Sequence, residues 1–199
     1  MTYTFALIPL FLLAASAILL APATAGAQAP AKDDPGIAVI TYGDLEITAI
    51  LDTATTIPPG ILFGRKQTDL AADLKAAGVT DGYFPGWVNA FVVKKGKETY
   101  VIDTGNGAAD GFLAKMRVAG IDPATVNHVL LTHYHTDHVG GLLNPDGSKA
   151  FPKAKIYGSV EEDAYFLPPG GDGPPGAAPL PRLFAPYRGD DDYVTFSPG

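Results

Sequence analysis

One stretch decides the fold of this chain: Thr132-His133-Tyr134-His135-Thr136-Asp137-His138-Val139-Gly140-Gly141. It holds three of the four histidines in the 199-residue sequence, together with one carboxylate. The apolar run Val129-Leu130-Leu131 precedes it and predicts a buried strand. The cluster therefore lies where a strand ends and the chain turns, which is a common place for a rigid scaffold to present functional side chains.

The residue types in this stretch are metal ligands. Neutral imidazole and carboxylate suit zinc, and also manganese, iron or cobalt. His133 and His135 are two residues apart in an extended or loop segment, so both rings can reach one ion. Asp137 and His138 follow and could bind a second ion beside the first. Two ions about 3.5–4 Å apart can hold a bridging hydroxide and polarise an ester or phosphoryl oxygen.

A polar loop with unrelated histidines is the alternative interpretation. Clustered imidazoles are costly without a shared ion or partner, so three histidines and an aspartate in this order favour metal binding. His128 stands apart from the cluster, at the start of the strand. We interpret it as a structural or exposed residue and not as a ligand.

The pattern His133-x-His135-x-Asp137-His138 resembles the signature of the metallo-β-lactamase superfamily. A second element agrees with it, because residues 99–105 (Thr-Tyr-Val-Ile-Asp-Thr-Gly) resemble the strand ending in Asp-Thr-Gly that precedes this signature. With the strand at 88–93, these stretches resemble the methyl parathion hydrolase-like and quorum-quenching lactonase branch. The resemblance covers residues 37–199.

This resemblance implies an α/β fold, the αββα sandwich of the superfamily. In that family a third histidine, a bridging carboxylate and a final histidine complete the metal site further along, whereas no histidine follows His138 here. We therefore expect residues 37–199 to form only the amino-terminal half of the sandwich, as the front part of a longer enzyme. Asp103, which ends a strand, is implied to orient the metal loop through hydrogen bonds without binding the ion itself.

The resemblance further implies a metal-dependent hydrolase that cleaves an ester, lactone or phosphotriester through a metal-bound hydroxide. His133 and His135 are the expected ligands of one Zn²⁺ ion, and Asp137 and His138 of a second. Asp137 is also the candidate catalytic residue, which holds the nucleophilic water or accepts a proton. Organophosphate triesters, acyl-homoserine lactones and β-lactams remain open as substrates.

A non-catalytic remnant is the alternative from a different functional class. Such a chain would bind metal weakly or not at all, because the downstream histidine and aspartate ligands are missing from the sequence.

Composition narrows the range of partners. The net charge is −7 and there is no basic patch, so we expect a small-molecule substrate and no nucleic acid. The sequence has no cysteine, which excludes disulfides, a catalytic thiol and a thiolate metal ligand. No motif predicts an oligomeric state.

Residues 1–29 predict a secretory signal peptide, because a long apolar run is followed by small residues in Ala-x-Ala patterns. We expect cleavage after about Ala27 or Ala29, a periplasmic or secreted protein, and only transient contact with the membrane. An uncleaved membrane anchor is the alternative, since the run is near the lower length limit for spanning. Residues 30–36 are a predicted linker, and residues 37–199 a partial metallo-β-lactamase domain.

Local patterns predict the elements around the site. The predicted strands and helices are two hairpins (37–42 with 45–51, and 88–93 with 98–103), a strand at 155–158, and helices at 68–77, 111–119 and about 159–166. Asp52 ends the second strand and is interpreted as a turn residue, with a position at the mouth of the site as the alternative. Ser159 and Glu162 match a capping box at the start of the last helix.

Two further segments are predicted to be irregular. Residues 81–87 are aromatic and rich in glycine and proline, and their Phe84 and Trp87 are candidates to line a hydrophobic substrate pocket. Packing of the same rings over the core is the alternative. Residues 168–181 contain six prolines and four glycines, so we expect a flexible insert there without a regular element.

Overall fold

The computed structural model describes residues 34–61, 64, 66–79, 83–171 and 173–197. Within them, seven strands form one sheet in sequence order: β1 (Ile37–Tyr42), β2 (Leu45–Ile57), β3 (Phe84–Lys95), β4 (Glu98–Ile102), β5 (His128–Leu130), β6 (Lys155–Ser159) and β7 (Tyr193–Phe196). Strands β1 to β4 pair in antiparallel fashion, whereas β4 to β7 are parallel. The predicted signal peptide and most of the predicted linker lie outside the described residues.

The α-helices of the described residues are α1 (Gln67–Ala76), α2 (Phe112–Val118), α3 (Thr136–Val139), α4 (Val160–Phe166) and α5 (Leu180–Gly189). Single 3₁₀ turns occupy Pro59–Ile61, Pro123–Thr125 and Gly140–Leu142. The three predicted helices are confirmed, and no end is shifted by more than one residue. Helices that alternate with the strands of one mixed sheet confirm the predicted α/β class. No helix of the described part of the chain is long and apolar enough to span a membrane.

The inner face of the sheet carries the core. Alternate residues of the strands are fully buried there, and helices α2, α4 and α5 pack their apolar residues into the same cluster. The buried strand residues are Ile50, Ala90, Val92, Val101, Val129 and Ile156, and the helix residues are Phe112, Met116, Phe166, Leu180, Phe184 and Tyr187. The core therefore lies between the sheet and one layer of helices.

The outer face of the sheet is also apolar. Phe91, Ile102, Leu130 and Tyr157 are paired across β3 to β6 and so form one row on this face. Phe91 and Leu130 are each 37% exposed, and Trp87 on the same face of β3 is 61% exposed. This one-sided packing is the arrangement that we predicted for half of an αββα sandwich, in which sheet packs on sheet.

Strand β2 is longer than predicted and continues past Asp52 to Ile57. Leu51 pairs with Asn89 and Thr53 with Val88, which leaves Asp52 as the extra residue of a β-bulge. The interpretation of Asp52 as a turn residue was therefore wrong. The predicted loop at 81–87 was also wrong over its second half, because β3 begins at Phe84.

The carboxyl-terminal part of the chain contains one strand that the sequence patterns did not predict, β7, which pairs with β6. Between α4 and α5, the described residues form turns without a strand or helix, as predicted for the proline-rich segment. Helix α5 nevertheless begins at Leu180, inside that segment, and Leu180 is completely buried. The flexibility of the segment stays a prediction.

Asp52 ties the segment after β4 to the sheet. One carboxylate oxygen accepts a hydrogen bond from the Phe112 backbone amide (2.7 Å). The other accepts from the Asn106 amide (3.1 Å) and the Thr53 hydroxyl (2.9 Å). A Cβ atom on Gly105 would lie 2.3 Å from Asp52 Oδ1, so the close approach requires glycine there.

Replacement of Asp52 by asparagine is expected to destabilise the fold. Both carboxylate oxygens face donors, so the amide NH₂ of an asparagine would meet one of them and leave it unpaired. We expect a loss of about 1–3 kcal/mol in the free energy of unfolding, measured by urea denaturation. The control is Asp44→Asn at the exposed β1–β2 turn, with an expected change within about 0.5 kcal/mol. Equal stabilities of the two variants would contradict the assigned role of Asp52.

Candidate metal centre

Three histidines meet in the loop that follows β5. The ring centroids of His133 and His135 are 4.7 Å apart, and those of His133 and His138 are 4.0 Å apart. His135 is the residue before α3, and its carbonyl accepts hydrogen bonds from the amides of His138 and Val139. The short helix therefore folds the chain back and brings His138 against His133.

Asp103, at the end of β4, holds this loop. Its Oδ1 accepts a hydrogen bond from the Thr132 amide (2.8 Å), and its Oδ2 accepts one from the Thr132 hydroxyl (2.7 Å). The same Oδ2 lies 2.8 Å from Nδ1 of His138. Asp103 is 5% exposed and has a φ of 58°, a left-handed conformation that is strained for a residue other than glycine. The hydrogen bonds to the loop stabilise this conformation.

Burial and hydrogen bonding set the protonation of the cluster. Burial alone would raise the pKa of Asp103, but the hydrogen bonds with His138 and Thr132 outweigh it and hold the pKa below its usual value. The hydrogen bond to Asp103 raises the pKa of His138. Burial, followed by the charges of His138 and His135, lowers the pKa of His133. Of His133 and His138, His133 is therefore the ring that more readily stays neutral.

The donors have the chemistry that a zinc ion requires. Thr132 Oγ1 lies 3.0 Å from Nδ1 of His133, and Asp103 lies against Nδ1 of His138. An oxygen partner on Nδ1 leaves the lone pair of Nε2 in each ring for a metal ion. This is the usual arrangement of metal-binding histidines. In the described ranges, however, no group of three or more His, Asp or Glu side chains is arranged to hold an ion.

Asp137 lies on the solvent side of the cluster. Its side chain is 47% exposed, and its Oδ2 is 3.6 Å from Nε2 of His138. The structure thus brings Asp137 next to one histidine only.

The structure does not bring Phe84 and Trp87 together. They are three residues apart on β3, and side chains of a strand alternate between its faces, so the two rings lie on opposite faces of the sheet. Trp87 is 61% exposed on the outer face, and Phe84 is half-buried. A role of either residue in a substrate pocket stays a prediction.

Two other aromatic residues approach the cluster, and the sequence patterns did not identify them. Phe166, at the end of α4, contacts the His135 ring edge-on with a centroid distance of 5.6 Å. Tyr165 packs edge-on against Phe166 and is 63% exposed. Phe166 also lines a mainly apolar cavity of about 470 Å³, together with Pro168 and Ala185. No local signal could have revealed the contact of Phe166 with His135, because the two residues lie about 30 positions apart in the chain.

Tyr134 lies between two of the histidines and is completely buried. Its hydroxyl is 2.5 Å from the hydroxyl of Tyr193 in β7, and its backbone amide donates to Oε2 of Glu162 (2.9 Å). Burial raises the pKa of Tyr134 to about 12, so the hydroxyl keeps its proton at neutral pH. No pattern in the sequence indicates a role for this residue.

Comparison with known proteins places this arrangement in a family. Residues 84–197 match the Metallo-beta-lactamase superfamily. Thioesterase pkgB of Emericella nidulans is 38% identical over 68 residues, which are 32% of this chain and 20% of that protein. The crystal structure of the hydrolase AbOPH, in the beta lactamase superfamily, aligns with a TM-score of 0.73 and 28% identity. This alignment covers 84% of the present chain and 63% of AbOPH.

A second solved structure, AidC, is a dizinc quorum-quenching lactonase. It aligns with a TM-score of 0.65 and 22% identity, over 81% of this chain and 61% of AidC. At this identity the likeness concerns the fold alone. The chain thus spans less than two thirds of each of these relatives. The family match covers more than half of the chain and includes strands β3 to β7 with the histidine cluster between them. The chain belongs to the metallo-beta-lactamase superfamily.

Proposed function

We propose that this chain is part of a zinc-dependent hydrolase of ester, lactone or phosphotriester bonds. The observation that carries the proposal is the cluster of His133, His135 and His138, in which oxygen atoms engage Nδ1 of two rings. Family membership supports hydrolysis, since similar proteins include a hydrolase, a lactonase and a thioesterase.

One or two Zn²⁺ ions per chain are proposed, with manganese, iron and cobalt suited to the same donors. His133 and His135 would hold the first ion, and Asp137 and His138 the second. When bound, zinc supplies Lewis acidity, which makes water more acidic and polarises a carbonyl or phosphoryl oxygen. The name of AidC as a dizinc lactonase is consistent with this proposal.

The residues of the chain itself have distinct tasks in the proposal. Asp103 fixes the ring of His138 through Nδ1, and Thr132 fixes the ring of His133. Asp137, exposed beside His138, is placed to hold water or accept a proton. The apolar cavity that Phe166 lines would receive the hydrocarbon part of a substrate whose reactive group lies near His135.

We also propose that the protein is exported to the periplasm or the medium. The support is the apolar amino-terminal run with its Ala-x-Ala patterns.

Replacement of His135 by alanine is expected to remove the first metal. The purified full chain, dialysed against zinc and analysed for metal content, should contain one or two ions, and His135→Ala at least one fewer. Hydrolysis of an aryl ester, a homoserine lactone or an aryl phosphotriester should fall more than about 100-fold, beyond the loss typical of residues that only support a ligand. The matched control is His128→Ala, since His128 stacks on Tyr100 in β4, away from the cluster.

The outcomes separate the hypotheses. Full metal content and activity in His135→Ala would refute the ligand assignment. A wild-type chain that is folded but holds no metal and hydrolyses none of the three substrates would instead support the non-catalytic alternative.

Replacement of Asp103 by asparagine is expected to lower the pKa of His138. The carboxylate stabilises the protonated imidazole, so removing its charge makes the ring lose its proton at lower pH, nearer its ordinary value of about 6.5. The measurement is an NMR titration of the histidine rings in the metal-free chain. Glu98→Gln, which removes the carboxylate beside His128, should leave His138 unchanged. An unchanged His138 in Asp103→Asn would show that this contact does not set its protonation.

A further inference from the structure

Tyr134 faces the interior while its two neighbours form the histidine cluster. Its side chain is completely buried, and its ring packs on Phe184 of α5 with a centroid distance of 4.9 Å. Gly158 of β6 makes room for it, because a Cβ atom there would lie 1.7 Å from the Tyr134 hydroxyl oxygen. The residue between two candidate ligands is thus enclosed on several sides.

A directed chain of hydrogen bonds begins at this hydroxyl. The Tyr193 hydroxyl donates to Oδ1 of Asp163 (2.6 Å), so its only proton is used there. At 2.5 Å, the Tyr134 hydroxyl must therefore be the donor to the Tyr193 oxygen. Arg188 forms an ion pair with the same Asp163, and its guanidinium lies over the Tyr193 ring. The hydrogen-bond chain consequently ends on the Asp163 carboxylate, which is paired with Arg188.

The backbone of Tyr134 is held by the same helix. Its amide donates to Oε2 of Glu162, the residue before Asp163 in α4. The Ser159 hydroxyl accepts from the Glu162 amide (3.1 Å), which fixes the first turn of α4. In the predicted capping box, the Glu162 side chain would have returned to Ser159; it extends to the histidine loop instead. Two successive acidic residues of α4 therefore hold one residue of that loop.

We propose that Tyr134 is a positioning residue, whose hydrogen-bond chain through Tyr193 to Asp163 sets the orientation of the His133 and His135 rings. Both histidines are bonded to the residue that this chain fixes, so a backbone rotation at Tyr134 would turn the two rings relative to each other. If these rings hold zinc, as the proposed function states, the hydrogen-bond chain also sets the affinity of the protein for zinc. Strand β7, some 60 residues away in sequence, thereby becomes part of the site.

Tyr193→Phe is the decisive variant. It keeps the ring that packs edge-on against Phe184 but removes the acceptor of the Tyr134 hydroxyl. We expect the dissociation constant for zinc, measured in competition with a chelating dye, to rise about tenfold, as is typical when a residue supporting a metal ligand is lost. The visible absorption spectrum of the cobalt-substituted chain should change as well, since it reports the arrangement of the ligands. Tyr157→Phe, on the outer face of the neighbouring strand β6, is the control and should leave both measurements unchanged.

The double variant Tyr134→Phe/Tyr193→Phe tests whether the two hydroxyls act as a unit. Its zinc affinity should equal that of Tyr193→Phe, because breaking one link already releases the loop. Asp163→Asn keeps an oxygen that can accept from Tyr193 and should retain most of the affinity. If the loss of zinc affinity in the double variant equalled the product of the two single losses, the two hydroxyls would act independently. That result would overturn the assignment of a single hydrogen-bond chain.

A metal-free measurement separates this inference from the proposed function. In the NMR spectrum of the metal-free chain, Tyr193→Phe should shift the ring signals of His133 and His135, whereas Tyr157→Phe should not. Unshifted signals would overturn the inference. It would also be overturned if Tyr193→Phe lowered the unfolding temperature but left the zinc affinity and the cobalt spectrum unchanged, because that result is expected of a purely structural residue. Shifted signals in a chain that binds no zinc would uphold the positioning role and refute the metal function.

Discussion

The hydrogen bonds of the Asp103 carboxylate are the interaction on which the site depends. Strands β4 and β5 are parallel neighbours, so their carboxyl ends meet at the same edge of the sheet. Asp103 leaves β4 at this edge and receives the amide and hydroxyl of Thr132, which leaves β5, together with Nδ1 of His138. A single buried carboxylate thus joins two strand ends and one candidate ligand. Its left-handed backbone is the strain that this connection requires.

A second buried carboxylate supports the first from the antiparallel side of the sheet. The bulge at Asp52 adds a residue to β2 and directs its side chain to the segment that follows Asp103. That segment is consequently held at both ends, by Thr132 and His138 at Asp103 and by Asp52 near the start of α2. Gly140 packs against the backbone of Asn106 in the same segment, at a distance that no Cβ would tolerate. The glycines that close the histidine stretch therefore serve close packing of two loops as well as the turn.

The sequence was informative where the determining residues are neighbours in the chain. The histidine loop, the hairpins and the helix ends at glycine follow from local spacing and turn chemistry. It was uninformative where distant segments decide. Pro85 and Gly86 indicated a loop, yet they pair with Thr56 and Thr55 once β2 continues through its bulge. The contact of Phe166 with His135 likewise depends on the packing of α4 against the loop, and the Tyr134–Tyr193 contact on the pairing of β7 with β6. No periodicity within either segment encodes these contacts.

The open outer face and the one-sided supply of candidate ligands have a common geometric origin. The candidate ligands all come from one loop, at the end of one strand, so they can approach an ion only from the side of the sheet edge where that loop lies. A closed tetrahedral site needs donors from more than one direction. Leu130, the last residue of β5, is 37% exposed on the outer face and stands three positions before His133. Any element that covered Leu130 and Phe91 would therefore end close to the histidines and could complete their coordination. Under the proposed function, an element that shields this apolar face is thus also placed to supply further ligands to the candidate metal site.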